Sequence, residues 1–93
     1  MTSRTAPVTV IVPAYNEAAS LGDTIRSLMA QTVRPQEIVV VDDCSTDDTR
    51  QVARAHGVKV VWPARNTGSK AGAQNHGLGY VRTPLCVALD ADT

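Results

Sequence analysis

Two aspartates one residue apart, Asp90 and Asp92, follow the apolar run Leu85-Cys86-Val87-Ala88-Leu89. On extended backbone, side chains at i and i+2 point the same way, roughly 7 Å apart. Carboxylates placed so at a strand end can hold a divalent cation, which commonly keeps phosphate oxygens among its other ligands. A second acidic pair, Asp42-Asp43, closes another apolar run, Ile38-Val39-Val40-Val41. Glu17 closes a third place of this kind, Pro13-Ala14-Tyr15-Asn16-Glu17, after Val8-Thr9-Val10-Ile11-Val12. Apart from Asp23 and Glu37, every acid of the chain lies in these three stretches or at Asp47-Asp48 beside the second. The basic residues are scattered, so convergence of the three stretches would give a neutral protein one acidic rim. Lys70 stands out against that rim, because it sits in a glycine-rich segment, Gly68 to Gly79, where backbone can approach a phosphate.

Composition removes several function classes. Lys+Arg and Asp+Glu number 9 each, so no net field draws nucleic acid or an anionic membrane. Tyr15, Trp62 and Tyr80 are the aromatics, too few for a base-stacking platform. No run of about 18 apolar residues is present, and Met1 to Pro7 lack the apolar core of a signal peptide. Cys44 and Cys86 have no metal-type spacing and read as reduced thiols of a cytoplasmic protein. Ninety-three residues suffice for one small domain.

The elements that must position these residues follow from periodicity. Val8–Val12 is a β-branched run stopped by Pro13, the pattern of a buried strand. Leu21, Ile25, Leu28 and Met29 form one face of a helix that Ser20 could cap. Ile38–Val41 is a second strand. Ser45 or Thr46 could cap the next helix, with Asp47 and Asp48 in its first turn and Gly57 just past its end. Val58–Trp62 is strand three, a glycine-rich helix reaches about Tyr80, and Pro84 starts strand four. Alternating strands and helices predict a parallel α/β sheet. A doubly wound order of 3-2-1-4 would reverse the winding between strands one and four, and ligands bind at such a switch point. Residues 13–17 and 90–92 would then flank one crevice, with Asp42-Asp43 alongside.

Each constellation has a plain structural alternative. Pro13, Asn16 and Glu17 suit a strand end, a turn and a helix start, whereas Tyr15 could lie on a flat base. Asp47 and Asp48 suit a helix start. Two acids directly at a strand end do not, since their repulsion needs something positive to share; one of Asp42 and Asp43 could accept from a base N–H or a ribose hydroxyl while the other braces the loop. Gly77 and Gly79 could serve close packing on the sheet. Lys70 at a helix entrance suits a pyrophosphate, but the segment is neither a Walker A loop nor a dinucleotide fingerprint. His56 suits a helix terminus, and neither it nor His76 is a candidate ligand.

With these residues in view, the chain resembles the N-terminal, donor-binding portion of a family 2 glycosyltransferase of the GT-A fold. The resemblance spans residues 8–92 and rests on four motifs in order: Val10 to Glu17, Val41 to Asp47, Asn66 to Gly77, and Asp90-Ala91-Asp92. Gln74 departs from it, standing where the family often has Leu. The resemblance implies that the first motif, through Pro13, Ala14, Tyr15 and Glu17, together with Asp43, holds the nucleoside of a nucleotide-sugar, most often a uridine, with Asp42 beside them among the donor-binding residues. It implies that Lys70 approaches the diphosphate or sugar, and that Asp90 and Asp92 bind Mn²⁺ or Mg²⁺ on that diphosphate. It further implies transfer to an acceptor hydroxyl with inversion, by a general base lying beyond residue 93 in a longer parent enzyme, cytoplasmic or associated with a membrane. On that reading residues 1–93 form one donor-binding domain, inactive alone, whose strand-four edge invites self-association. Two alternatives remain: a stand-alone nucleotide and metal module, and a phospho-acceptor domain, which wants its acid pair after strand one.

Overall fold

The computed structural model describes residues 4–91. Asp92, half of the proposed metal pair, lies outside the described residues. The elements run β1 (Arg4–Ala14), α1 (Ala18–Met29), β2 (Val33–Asp42), α2 (Thr49–Ala55), β3 (Lys59–Val61), α3 (Lys70–Leu78) and β4 (Leu85–Ala88). Every strand pair is parallel and the order is β3-β2-β1-β4, as the sequence predicts. No helix among the described residues is long and apolar enough to cross a membrane.

Right-handed crossovers account for the layers. Two successive steps from β1 to β2 to β3 place α1 and α2 on one face. The return from β3 past β1 to β4 places α3 on the other. Strand residues alternate accordingly. Val10, Val12, Ile38 and Val40 meet Leu21, Ile25 and Leu28 of α1 and Ala53 of α2. Ile11, Val39 and Val41 meet Ala73 of α3. Val39, Val40 and Val41 are 0% exposed, which is why β2 reads as an unbroken apolar run rather than an alternating one. Burying one such side chain is worth about 1.5–3 kcal/mol. At the sheet edge, Leu85 and Val87 of β4 remain 59% and 53% exposed.

Local signals err where tertiary contacts claim the same hydroxyls. Ser20 lies inside α1, not at its cap; Glu17 takes the N-cap position, and Ser20 Oγ donates to Glu17 Oε2 at 3.3 Å. Nor does Ser45 or Thr46 cap α2, which begins at Thr49 after Asp48. Their side chains are engaged by Asn16 instead. Asp47 and Asp48 precede the helix rather than occupy its first turn. Met29 ends α1 partly exposed, while Leu21, Ile25 and Leu28 are buried as expected. Gly57 stops α2 at a φ of 74°, a backbone region that glycine enters freely. Gly77 does serve close packing, because a Cβ there would stand 2.8 Å from Ile11 Cγ2 and 2.9 Å from Val41 Cγ2. Gly79 does not, its nearest atom being His76 O at 3.5 Å.

Candidate functional site

The crevice exists because two ladders end at different heights. β1 pairs with β2 as far as Ala14↔Asp42, and the Asp43 amide adds a bond to Ala14 O. On its other side β1 pairs with β4 only to Ile11↔Ala88, extended by the Leu89 amide to Ile11 O. Beyond that point the chain of Pro13–Glu17 and the chain of Asp90 part. This is the switch point, at the carboxyl ends of the strands.

A cavity of about 330 Å³ opens there, lined by Pro13, Ala14, Tyr15, Glu17, Asp43 and Lys70, with Asn66, Gly68, Ser69 and Ala73 completing the wall. Asp90 adjoins it, its Oδ2 lying 3.4 Å from Lys70 Nζ. A larger hollow of about 540 Å³ lies at the opposite end of the sheet, around Thr5, Arg34, Glu37 and Lys59. It contains none of the residues singled out by motif.

The loop that carries Tyr15 is locked to the one after β2. Asn16 adopts a φ of 53°, and its Oδ1 accepts from the amides of Thr46 at 2.8 Å and Asp47 at 3.3 Å. Ser45 Oγ in turn accepts from the Asn16 amide at 2.9 Å, and Thr49 Oγ1 from the Glu17 amide at 2.9 Å. Asp47 accepts from Ala18 and Thr49, and the Thr49 hydroxyl above all holds its carboxyl below the usual aspartate value. Tyr15 is thereby presented half-exposed at the mouth of the cavity.

The two acids at the end of β2 are buried, Asp42 at 1% and Asp43 at 4% exposure. Asp42 stands behind the cavity, accepting from Arg50 Nε at 2.8 Å and from the Ser45 amide at 3.0 Å. Arg50 stacks on Trp62, 3.9 Å from the ring centre. Asp43 accepts from the Thr67 amide at 2.8 Å and the Thr67 hydroxyl at 2.7 Å. Both carboxylates thus brace protein, and the positive partner that their proximity requires is Arg50. Each Asp43 oxygen keeps a further lone pair, since a carboxylate accepts about four bonds.

On the far wall, Ser69 caps α3, its Oγ accepting from the Gly72 amide at 3.0 Å. Gly68 reaches a φ of 86° in the turn before it. Lys70 therefore enters at the positive end of a nine-residue helix, where anions are favoured. The other wall is Asp90, half-exposed and next to the buried Ala91.

The family model for glycosyl transferase family 2 matches residues 9–93, nearly the whole sequence. The chain belongs to glycosyl transferase family 2. It is 35% identical over 89 residues to the 4,4'-diaponeurosporenoate glycosyltransferase of Staphylococcus aureus, covering 91% of this chain and 24% of that one. A crystal structure of S. aureus TarS superposes with a TM-score of 0.83 at 31% identity, over 91% of this chain and 27% of the other. Glucosyl-3-phosphoglycerate synthase of Mycobacterium tuberculosis, solved with Mn²⁺, UDP and glucosyl-3-phosphoglycerate, gives 0.77 at 31% identity, over 95% and 33%. The chain thus spans about a quarter to a third of these relatives. Its sheet order and helices are those of the GT-A arrangement that the resemblance implied.

Set against the sequence reading of this family 2 chain, the fold gathers Pro13, Ala14, Tyr15, Glu17, Asp43 and Lys70 on one cavity and sets Asp90 at its edge. It withdraws Asp42 to the ion pair with Arg50. Asn66 and Ser69 escaped sequence reasoning as wall residues, although both stand in the quoted glycine-rich motif. Arg50 and Asn16 escaped it as braces, and only a three-dimensional pairing could reveal Arg50. Neither His56 nor His76 lines the cavity. Cys44 and Cys86 are free thiols.

Proposed function

We propose that this domain binds the nucleotide-diphosphate moiety of a sugar donor, a UDP-sugar, in the cavity between the carboxyl end of β1 and the start of α3. The observation that carries the reading is the convergence of Tyr15, Asp43 and Lys70 on one cavity with Asp90 at its edge. Tyr15 offers a half-exposed ring for a base, and a remaining Asp43 lone pair suits a base N–H. Lys70 and the first turn of α3 suit the diphosphate. The M. tuberculosis relative solved with UDP and Mn²⁺ supports both ligand classes.

A divalent cation fits the donor set in one way only. Among the described residues no group of three His, Cys, Asp or Glu could hold a metal ion. Mg²⁺ and Mn²⁺ are, however, commonly held by one or two carboxylates plus substrate phosphates. Asp90, with Asp92 as its proposed companion, would supply the carboxylates and the donor the phosphates. The cation would neutralise the departing diphosphate. Of this chain's own residues, Lys70 adds charge on the same side, and the locked Asn16 loop keeps the base site formed before donor arrives. The donor site would serve transfer to an acceptor hydroxyl with inversion, the general base and acceptor site lying outside residues 1–93. By that reading purified 1–93 shows no sugar transfer.

The test is a UDP titration followed by amide shifts, with and without Mn²⁺, on the wild type and on Asp90→Asn and Asp92→Asn. Mn²⁺ is expected to tighten wild-type binding by tenfold or more, about 1.4 kcal/mol, and each substitution to remove most of that gain. Equal affinities under all conditions would take the metal out of the account.

A further inference from the structure

We propose that Thr24 is a positioning residue for the cation-binding segment, acting through the backbone of Ala91. The inference rests on the reading of Asp90 as a ligand of the donor-bound cation. Thr24 lies in α1, 6% exposed, and its Oγ1 donates to Ala91 O at 2.7 Å in a buried contact. The same hydroxyl stands 3.3 Å from Ser20 O, the weaker of its two acceptors.

The need for this bond follows from where the ladder stops. The sheet holds this segment up to Leu89, whose amide bonds Ile11 O. Past it, Ala91 is 1% exposed and packs in the core beneath α1, so its carbonyl cannot turn to water. A buried carbonyl without a donor is costly, and the Thr24 hydroxyl supplies the donor. Asp90 is therefore fixed from both sides, by the Leu89 amide before it and the Ala91 carbonyl after it. Its carboxylate emerges toward Lys70, which belongs to the helix on the opposite face of the sheet from Thr24. Thr24 thus reaches the site only through backbone. Loss of its hydroxyl should free Asp90 and Ala91 while leaving the base and diphosphate contacts of Tyr15, Asp43 and Lys70 in place.

Thr24→Val keeps the shape and removes the donor; Thr24→Ser keeps the donor. UDP affinity is measured for each with and without Mn²⁺, alongside the Ala91 carbonyl ¹³C shift in the free protein. In Thr24→Val the metal-free affinity should stay within about twofold of wild type, while the Mn²⁺ gain falls about five- to tenfold. The Ala91 carbonyl should shift in the same variant, and Thr24→Ser should restore both. Thr24→Ala serves as the donor-free variant if the valine protein loses its dispersed spectrum. Full retention of the Mn²⁺ gain without the hydroxyl would overturn the assignment. A wild type with no Mn²⁺ gain would instead sink the cation reading on which it rests, and the two failures are distinct.

Discussion

The acids at the end of β2 and the acid after β4 look alike in sequence and differ in every physical respect. Asp42 and Asp43 are buried and hold Arg50, Ser45 and Thr67. Asp90 is half-exposed and meets Lys70 at 3.4 Å across the crevice. A buried carboxylate whose bonds are satisfied by protein is first of all a brace. An exposed one at the lip of a cavity, held in place through its backbone, can exchange its partner for a ligand. The crevice is accordingly asymmetric: on one side the carboxylates are bonded to protein side chains and amides, and on the other the outermost strand among the described residues is held by its backbone and carries an exposed charged tip.

That contrast gives the largest expected effect. Replacing Arg50 by Leu strands the Asp42 carboxylate in the interior, where breaking a fully buried pair costs about 3–5 kcal/mol. Arg50 is 31% exposed, so about 2–4 kcal/mol is expected in urea unfolding. Asp90→Asn breaks an exposed pair and should move stability by at most about 0.5 kcal/mol. Equal losses from the two substitutions would erase the distinction between brace and ligand.

A smaller effect belongs to the edge. From Leu85 to Leu89 no charge guards β4, and its outer backbone is unpaired among the described residues. We propose that a second copy of the 93-residue chain pairs there, giving sedimentation that depends on concentration. Val87→Lys should abolish that dependence. Unchanged association in the variant would place the contact elsewhere.

The smallest effect is on the acid side of the fixed wall. The folded value of Asp47 lies below its ordinary 3.8, chiefly through the Thr49 hydroxyl. The unfolded chain therefore binds this proton more readily, and stability from Asp47 is present above pH 3.8 and lost as pH falls through the lower folded value. The wild type should show a slightly steeper loss of stability than Asp47→Asn in that window. Parallel curves would mean that the Asp47 bonds contribute nothing.

The sequence made the sheet legible because buried parallel strands are unbroken apolar runs, and Val39–Val41 is one. Their order was not fixed by the alternation of elements alone; it matches the doubly wound order that the sequence reading took up. Helix starts were not, because a serine or threonine hydroxyl can cap locally or bond elsewhere, and Asn16 draws Ser45 and Thr46 away from α2. The cavity residues were legible as motifs. Their division of labour was not: burial separates Asp42 from Asp90, and Arg50 and Thr24 sit in helices whose sequence marks them only as surface and core.

We propose that a cation binds at the β4 lip only in company with the diphosphate. Paramagnetic line broadening by Mn²⁺ in ¹⁵N spectra tests it directly. With UDP present, the amides of Leu89 to Ala91 and of Ser69 and Lys70 should broaden selectively at low Mn²⁺, and much less without UDP. Broadening centred on Glu37 and Lys59 at the other end of the sheet, or identical broadening with and without UDP, would contradict it.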